Sequence, residues 1–329
     1  MPEFRSLTTD LAPSDSGPNP KRQGVHMDRR TFLTVPLAVG AAALAACTPD
    51  TAPAPRPPSS PSTSPATTAA PPTLKPRRRK SDYASKGIGM PRFEGFGFDE
   101  LNSLNPDWFY NWGPGYPPLR PASQESAEFV PMIWGRGSLE RNGVAQVRSE
   151  APWTGAEHLL GFNEPDHEGQ ADMSVSTAIK LWPQLEQSGL RLGSPAPVQA
   201  LGDWLGKFMD QAAAKDLRVD FVTMHSYAPP NADSFLETVQ KLHERYGKPI
   251  WITEFAVADW KATESSPSRF TEKEILAFMK ESVAGLRKMP YVERFAWKTR
   301  AHGDPIMGAS ALFRNNGSLT PTGQLYRSL

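Results

Sequence analysis

Residues 81–329 predict an α/β protein built as a single (β/α)8 barrel of the TIM type, and three observations lead there. Short apolar runs alternate with longer amphipathic stretches, the pattern of parallel strands joined by covering helices. The 249 residues of this body match the length of one eightfold barrel. Run after run then ends in polar or aromatic residues: Asn111-Trp112, Trp134, Asn163-Glu164, Ser194, His225-Ser226-Tyr227, Glu254 and Trp297. All strand C-termini of a βα barrel lie on one face, so these residues would converge there.

Taken in order, the runs expected as strands are 108–112, 129–134, 158–163, 191–194, 219–225, 250–254 and 292–297. The stretches expected as helices are 174–188, 202–215, 232–246 and 271–289. Ser174 and Thr271 read as N-caps, and Thr271-Glu272-Lys273-Glu274 has the spacing of a capping box. That makes seven strands, and the eighth is expected between Leu139 and Val147. A doubly wound open sheet is the rival fold. It wants a glycine-rich phosphate turn after its first strand, and Gly113-Pro114-Gly115 puts a proline where a helix N-terminus should supply donors.

The first 80 residues differ in kind. They hold 11 Lys/Arg against 5 Asp/Glu, and the body holds 25 against 30, so the tail is +6 and the body −5. A mildly acidic, tryptophan-rich body argues against nucleic-acid binding. From Met27 the chain reads Met-Asp-Arg-Arg-Thr-Phe-Leu-Thr, and an apolar run then leads to Cys47. Arg29-Arg30 resembles a twin-arginine export signal. Leu44-Ala45-Ala46-Cys47 resembles the lipobox of bacterial lipoproteins. Residues 1–47 are therefore expected to direct export across a bacterial cytoplasmic membrane, with Cys47 lipidated at the cell surface. A plain cleaved signal and a secreted product is the alternative. The residues before Met27 fit no part of such a signal and are expected to lie upstream of the true start. Residues 48–80 read as an extended linker: ten prolines fall among Ser, Thr and Ala in 48–76, followed by Arg77-Arg78-Arg79-Lys80. That basic run reads as a solvated charge cluster or a patch for an anionic surface.

With Cys47 as the one cysteine, an intrachain disulfide and a cysteine-based metal site are both excluded. The six histidines show no metal-type spacing, so neither metal nor cofactor is expected.

Function is read from two strings, Gly161-Phe162-Asn163-Glu164-Pro165-Asp166 and Ile250-Trp251-Ile252-Thr253-Glu254-Phe255. Each runs as a buried strand and ends in a glutamate. A carboxylate there is costly to desolvate unless it is paired or chemically employed. Two of them, 90 residues apart in one domain, suggest a matched acid and nucleophile that cleave glycosidic bonds. The competing reading makes each a helix cap or an arginine partner. Trp112, Trp134 and Trp297 end three strands around the expected mouth, where indole faces would stack on sugar rings. Trp182, Trp204 and Trp251 sit at helix or outward-strand positions and read as structural.

Asn163-Glu164-Pro165 and Thr253-Glu254-Phe255 resemble the retaining glycoside hydrolases of clan A. Within that clan the chain is similar to glycoside hydrolase family 128, the group related to fungal alkali-sensitive-linkage wall proteins. The matching segments include Phe109-Tyr110-Asn111-Trp112-Gly113, Glu128 to Gly135, Leu160 to Asp166, Leu192 to Ala196, Asp220-Phe221 with His225 and Tyr227, Pro249 to Phe255, and Gly317 to Pro321. The resemblance implies endo-acting hydrolysis of β-1,3-glucan with retention. It makes Glu164 the acid/base and Glu254 the nucleophile. Asn163 would hold the sugar 2-hydroxyl, Tyr227 would donate to Glu254, and Asn111 and His225 would line the substrate site. A β-glucan is the expected partner, the chain a monomer, and Cys47 its one link to a membrane. One departure is Ser226, where such relatives often carry an aromatic; it bears on chain length or linkage rather than on the chemistry. Two alternatives stay open: hydrolysis of another β-linked polymer such as a β-1,4-glucan or mannan, and a non-catalytic glucan-binding lipoprotein.

Overall fold

The computed structural model describes residues 84–90, 97–117 and 127–329. Cys47, the export signal and the linker lie outside the described residues. In chain order the elements are β1 (Ser85–Gly89), α1 (Phe98–Ser103), β2 (Trp108–Tyr110), β3 (Glu128–Phe129), α2 (Arg136–Glu140), α3 (Gly143–Thr154), β4 (His158–Leu159) and α4 (Val175–Glu186). There follow β5 (Arg191–Leu192), α5 (Asp203–Ala214), β6 (Val222–Ala228), α6 (Ala232–Tyr246), β7 (Ile250–Val257), α7 (Glu272–Leu286), β8 (Val292–Trp297) and α8 (Pro321–Ser328).

Six strands form a parallel sheet in the order β3-β2-β1-β8-β7-β6, and β4 pairs with β5 separately. Single parallel bridges, Met132 to Leu160 and Gly193 to Phe221, link that pair to the two edges of the sheet. The α/β class and the parallel arrangement are as expected. The helices also start where their caps predict: Ser174 Oγ accepts from Thr177 N at 3.2 Å, and the Thr271–Glu274 capping box is complete.

One element departs from expectation. The eighth strand is β1, upstream of the rest, and the stretch from Leu139 to Val147 instead joins α2 to α3. The reason is packing. Strand β1 reads Ser-Lys-Gly-Ile-Gly and carries a single large apolar residue. A Cβ at Gly87 would sit 2.1 Å from the Trp108 indole, so the strand must be glycine there to lie beside an aromatic layer. Gly193, after β5, faces Phe221 in the same way, at 2.5 Å. Sequence hydropathy misses strands that contribute space instead of side chains.

The aromatic layer is a cluster of Trp108, Tyr110, Val130, Met132, Leu160, Phe221, Trp251 and Ala296. Trp251 stacks on Phe221 at 4.1 Å and reaches Trp108 at 5.5 Å. Since β2 and β7 are not neighbours in the sheet, these side chains meet across its inner face. Trp251 is therefore an inward residue, not the outward one expected. Alternate residues of the same strands, such as Phe109, Phe295 and Trp297, belong to the larger cluster shared with the helices. Below the layer, at the strand starts, charges are paired. Arg191 forms a two-pronged pair with Glu293 at 2.8 and 2.9 Å. Arg294 meets Glu128 at 2.8 Å, and His158 Nδ1 lies 3.0 Å from Glu128. Arg294 also lies over the Trp251 ring at 4.2 Å.

The C-terminal helix α8 docks on β1 and β8. Lys86 Nζ donates to the carbonyls of Tyr326 and Arg327 at 2.9 and 3.0 Å. The buried Tyr326 hydroxyl donates to Gly87 O. Among the described residues, no helix is long and apolar enough to cross a membrane.

Gly87→Ala tests the packing account. Its Cβ overlaps the Trp108 ring, so the variant should lose about 1–3 kcal/mol, the usual range for overpacking. Urea unfolding should show a lower midpoint with an unchanged m-value.

Candidate active site

Glu254 lies in β7, a strand buried along its whole length. The β6–β7 register slips between Met224 and His225, and the β7–β8 register slips between Ile252 and Phe255. Such irregularities re-aim side chains. Here the Tyr110 hydroxyl pins the bend by donating to Thr253 O at 3.0 Å. Glu254 is 3 % exposed. Its charge is met from three sides. Trp112 Nε1 donates to Oε1 at 2.7 Å, the Tyr227 hydroxyl donates to Oε2, and Lys298 Nζ lies 2.9 Å from Oε2.

Glu164 stands at the end of the β4 segment with φ of 41°, in the left-handed region that a non-glycine residue enters at a cost of about 1–3 kcal/mol. The conformation is held from both sides, by Glu164 N donating to Ala196 O at 2.8 Å and His167 N donating to Glu164 O at 3.1 Å. His225 joins the two glutamates. Its Nδ1 is 2.8 Å from Glu164 Oε1, a hydrogen bond. Its Nε2 is 3.6 Å from Glu254 Oε1, an ionic rather than hydrogen-bonded contact.

The electrostatics differ between the pair's surroundings. Burial opposes the charge on Glu254, but the Lys298 ammonium, then His225, then the Tyr227 hydrogen bond outweigh it and hold the carboxyl well below its usual range. Burial also opposes the imidazolium of His225. The charge of Glu254, the hydrogen bond to Glu164 and the charge of Glu164 overcome it, and the pKa rises despite Lys298. Burial and the neighbouring Glu254 push the Tyr227 hydroxyl well up, so it stays a donor. No cluster of three or more His, Cys, Asp or Glu among the described residues could hold a metal ion.

A family model described as a glycosyl hydrolase catalytic core matches residues 98–326. An endo-β-1,3-glucanase of family 128, subgroup I, from Amycolatopsis mediterranei, solved with laminaritriose, is 34% identical with a TM-score of 0.64. That match covers 74% of this chain and 99% of the other. The chain belongs to glycoside hydrolase family 128. A subgroup II endo-β-1,3-glucanase from Sorangium cellulosum is 31% identical, with a TM-score of 0.62 over 74% of this chain and 98% of the other. Alkali-sensitive linkage protein 1 of Schizosaccharomyces pombe is 30% identical over 233 residues, 68% of this chain; the chain spans 40% of that relative's length.

The remaining expected site residues of this family 128 chain fall into three groups. Asn163 is buried beside Glu164, with Nδ2 donating to Gln170 Oε1 at 3.2 Å and Oδ1 without a partner. Trp134 is half-buried against the aromatic layer at the end of its segment. Trp112 is at the site, but not as an open sugar platform. Its N–H is used on Glu254, and the Lys298 ammonium covers its ring at 4.0 Å. Asn111 has a loop role, and Trp297 does not line the site. The Asn111 amide organises the loop after β2, donating to Gly115 O at 2.9 Å and accepting from Gly113 N at 3.0 Å. Trp297 is fully buried on the helix side, packed on Phe255 and donating to Ser310 O at 2.9 Å. Strand alternation turned it outward and put its neighbour Lys298 inside.

Sequence reasoning missed Lys298, Gln170, Tyr110 and Trp260. Lys298 follows a strand-end tryptophan, and its inward direction is readable only once Trp297 is seen to face the helices. Trp260, in the loop after β7, is 58 % exposed, and its Nε1 donates to Tyr227 O at 2.9 Å. Nothing in its sequence context set it apart from the structural tryptophans.

Because the folded pKa of Glu254 is depressed, its ionisation stabilises the fold above the unfolded value of about 4.3 and is lost as pH falls towards the folded value. Glu254→Gln removes that dependence. Between about pH 4.5 and pH 2, its Tm should fall less steeply than that of the wild type.

Proposed function

We propose that this glycoside hydrolase is a retaining endo-β-1,3-glucanase in which Glu254 is the nucleophile and Glu164 the acid/base. One observation carries the division of labour: a single imidazole bridges both carboxylates, yet only Glu254 is ringed by Lys298, Tyr227 and Trp112. The ringed carboxylate is suited to stay ionised. Glu164 lacks that ring of donors, and as the acid/base it would pass a proton to a leaving sugar oxygen. The substrate class rests on the relatives described as endo-β-1,3-glucanases.

In the first step a Glu254 oxygen bonds to the anomeric carbon while the glycosidic C–O bond breaks. That electron pair goes to the leaving oxygen, which takes the proton from Glu164. In the second step a water oxygen bonds to the anomeric carbon and its proton passes to Glu164. The ester bond breaks with its electrons returning to Glu254. The unpartnered Asn163 Oδ1 is placed to accept from a sugar hydroxyl. Half-buried Trp134 and exposed Trp260 supply apolar surface for sugar rings near the site. The reading also takes the two single bridges as closing the strands into an eightfold barrel, which gathers the strand ends on one face.

Digestion of laminarin tests the whole. A ladder of internal fragments is expected, with carboxymethylcellulose and mannan nearly untouched; faster hydrolysis of either of those would overturn the substrate. Release of a single short product would make the enzyme exo-acting. Glu164→Ala and Glu254→Ala should both lose turnover. Azide should rescue the first as a β-glycosyl azide and the second as an α-glycosyl azide, and swapped products would reverse the roles.

Export with lipidation at Cys47 is proposed on the sequence alone. Palmitate should label the wild type, and Cys47→Ala should be released in soluble form. Unlabelled wild-type protein in the medium would leave only a cleaved signal.

A further inference from the structure

In the mechanism just described Lys298 serves only to keep Glu254 ionised, and its geometry supports a further role. Its backbone N–H donates to Phe255 O at 2.9 Å, which fixes it beside β7 at the end of β8. Its Nζ is 2.9 Å from Glu254 Oε2 and 4.0 Å from the Trp112 ring centroid, and its side chain is 20 % exposed. An ionised carboxylate oxygen accepts about two hydrogen bonds. Oε2 has two, from Tyr227 and Lys298. Oε1 has one, from Trp112 at 2.7 Å, since His225 Nε2 at 3.6 Å is too far for a second.

Resting on the retaining reading above, we propose that Lys298 positions the nucleophile: with Tyr227 it holds Oε2, leaves Oε1 to attack, and stabilises the carboxylate when it departs. The consequences for the two steps are opposite. In the first, the bond from Oε1 to the anomeric carbon forms as the glycosidic bond breaks, and an ammonium nearby opposes the positive charge growing on the sugar. In the second, water's oxygen bonds to that carbon, its proton goes to Glu164, and the bond to Oε1 breaks. The electron pair then returns to a carboxylate whose charge Lys298 balances. Lys298 therefore favours release of the intermediate at some expense to its formation. The depressed titration of Glu254, in which Lys298 is the largest opposing influence to burial, agrees with this.

The titratable and charged groups facing Glu254 are Lys298 from β8, His225 and Tyr227 from β6, Tyr110 from β2 and Glu164 from the β4 segment. Lys298→Met removes one positive charge from that set and keeps most of the stem. An opposite charge at this range moves a carboxyl by about 1–3 pH units. The acid limb of kcat/KM on laminarin should rise by that amount, because the reaction needs Glu254 ionised. An aryl β-laminaribioside should show a burst of aryl alcohol as the glycosyl-enzyme accumulates. Lys298→Arg keeps the charge and should keep the wild-type limb even where kcat falls. Should the methionine variant not fold, Lys298→Gln carries the same expectations.

A ¹³C titration of the Glu254 carboxyl carbon reads the same displacement without activity. An unmoved titration in a folded, active neutral variant overturns the role of Lys298, as does an acid limb without burst or shift. A moved titration in a protein that cuts no β-1,3-glucan sinks the glucanase reading and leaves the ion pair standing.

Discussion

A negative charge buried above a layer of aromatic side chains is the constraint around which these strands are arranged. Glu254 is 3 % exposed, and a carboxylate so desolvated would take up a proton unless several donors met it. No single element can supply them. The indole N–H comes from the turn after β2, the phenol and imidazole from β6, and the ammonium from the end of β8. Their convergence requires local departures from regular structure. Trp112 adopts φ of 57°, and the strand register slips on both sides of Glu254. These irregularities persist because the site that needs them is held from every side.

The layers beneath the site give it a rigid base. Trp251 stacks on Phe221 and touches Trp108, and Arg294 lies over Trp251 from the opposite end. The paired charges at the strand starts then seal that end of the inner layer. Breaking one of them would leave a partly buried charge uncompensated, which costs more than the pair contributes when intact. The same stacking explains the glycines of β1. Gly87 lies against Trp108 and Gly89 against Trp112 and Tyr110, which leaves no room for a side chain at either, so close packing at the core and low hydropathy in the sequence are one fact.

Strand-end polarity was the most informative pattern in the sequence, and it succeeded where alternation was regular. Glu164, Glu254, His225 and Tyr227 all meet in one place, as strand-end residues of parallel segments should. It failed for Trp297 because a strand's last residue has even odds of facing either side. For Asn111 the structure adds a loop role that the pattern did not suggest, a side-chain amide bonded to Gly115 O and Gly113 N. Trp251 was placed on the wrong face for a related reason: in a strand buried on both sides, hydropathy carries no sign of which face is which.

Alone, the sequence determined the α/β class, seven of the strands, four main helices with the caps of two of them, and the two glutamates. Each of these is written in local chemistry: apolar runs, periodicity, capping hydroxyls and an acid where none is expected. Tertiary structure alone decided which strand completes the set, which tryptophan faces the site, and that a lysine would sit on Glu254. Those outcomes depend on contacts between residues far apart in the chain, such as Trp112 and Glu254 at a separation of 142, and on which way a strand's pleat turns once its neighbours are in place. No window of sequence contains that information, because it is set by the packing of the inner layer as a whole.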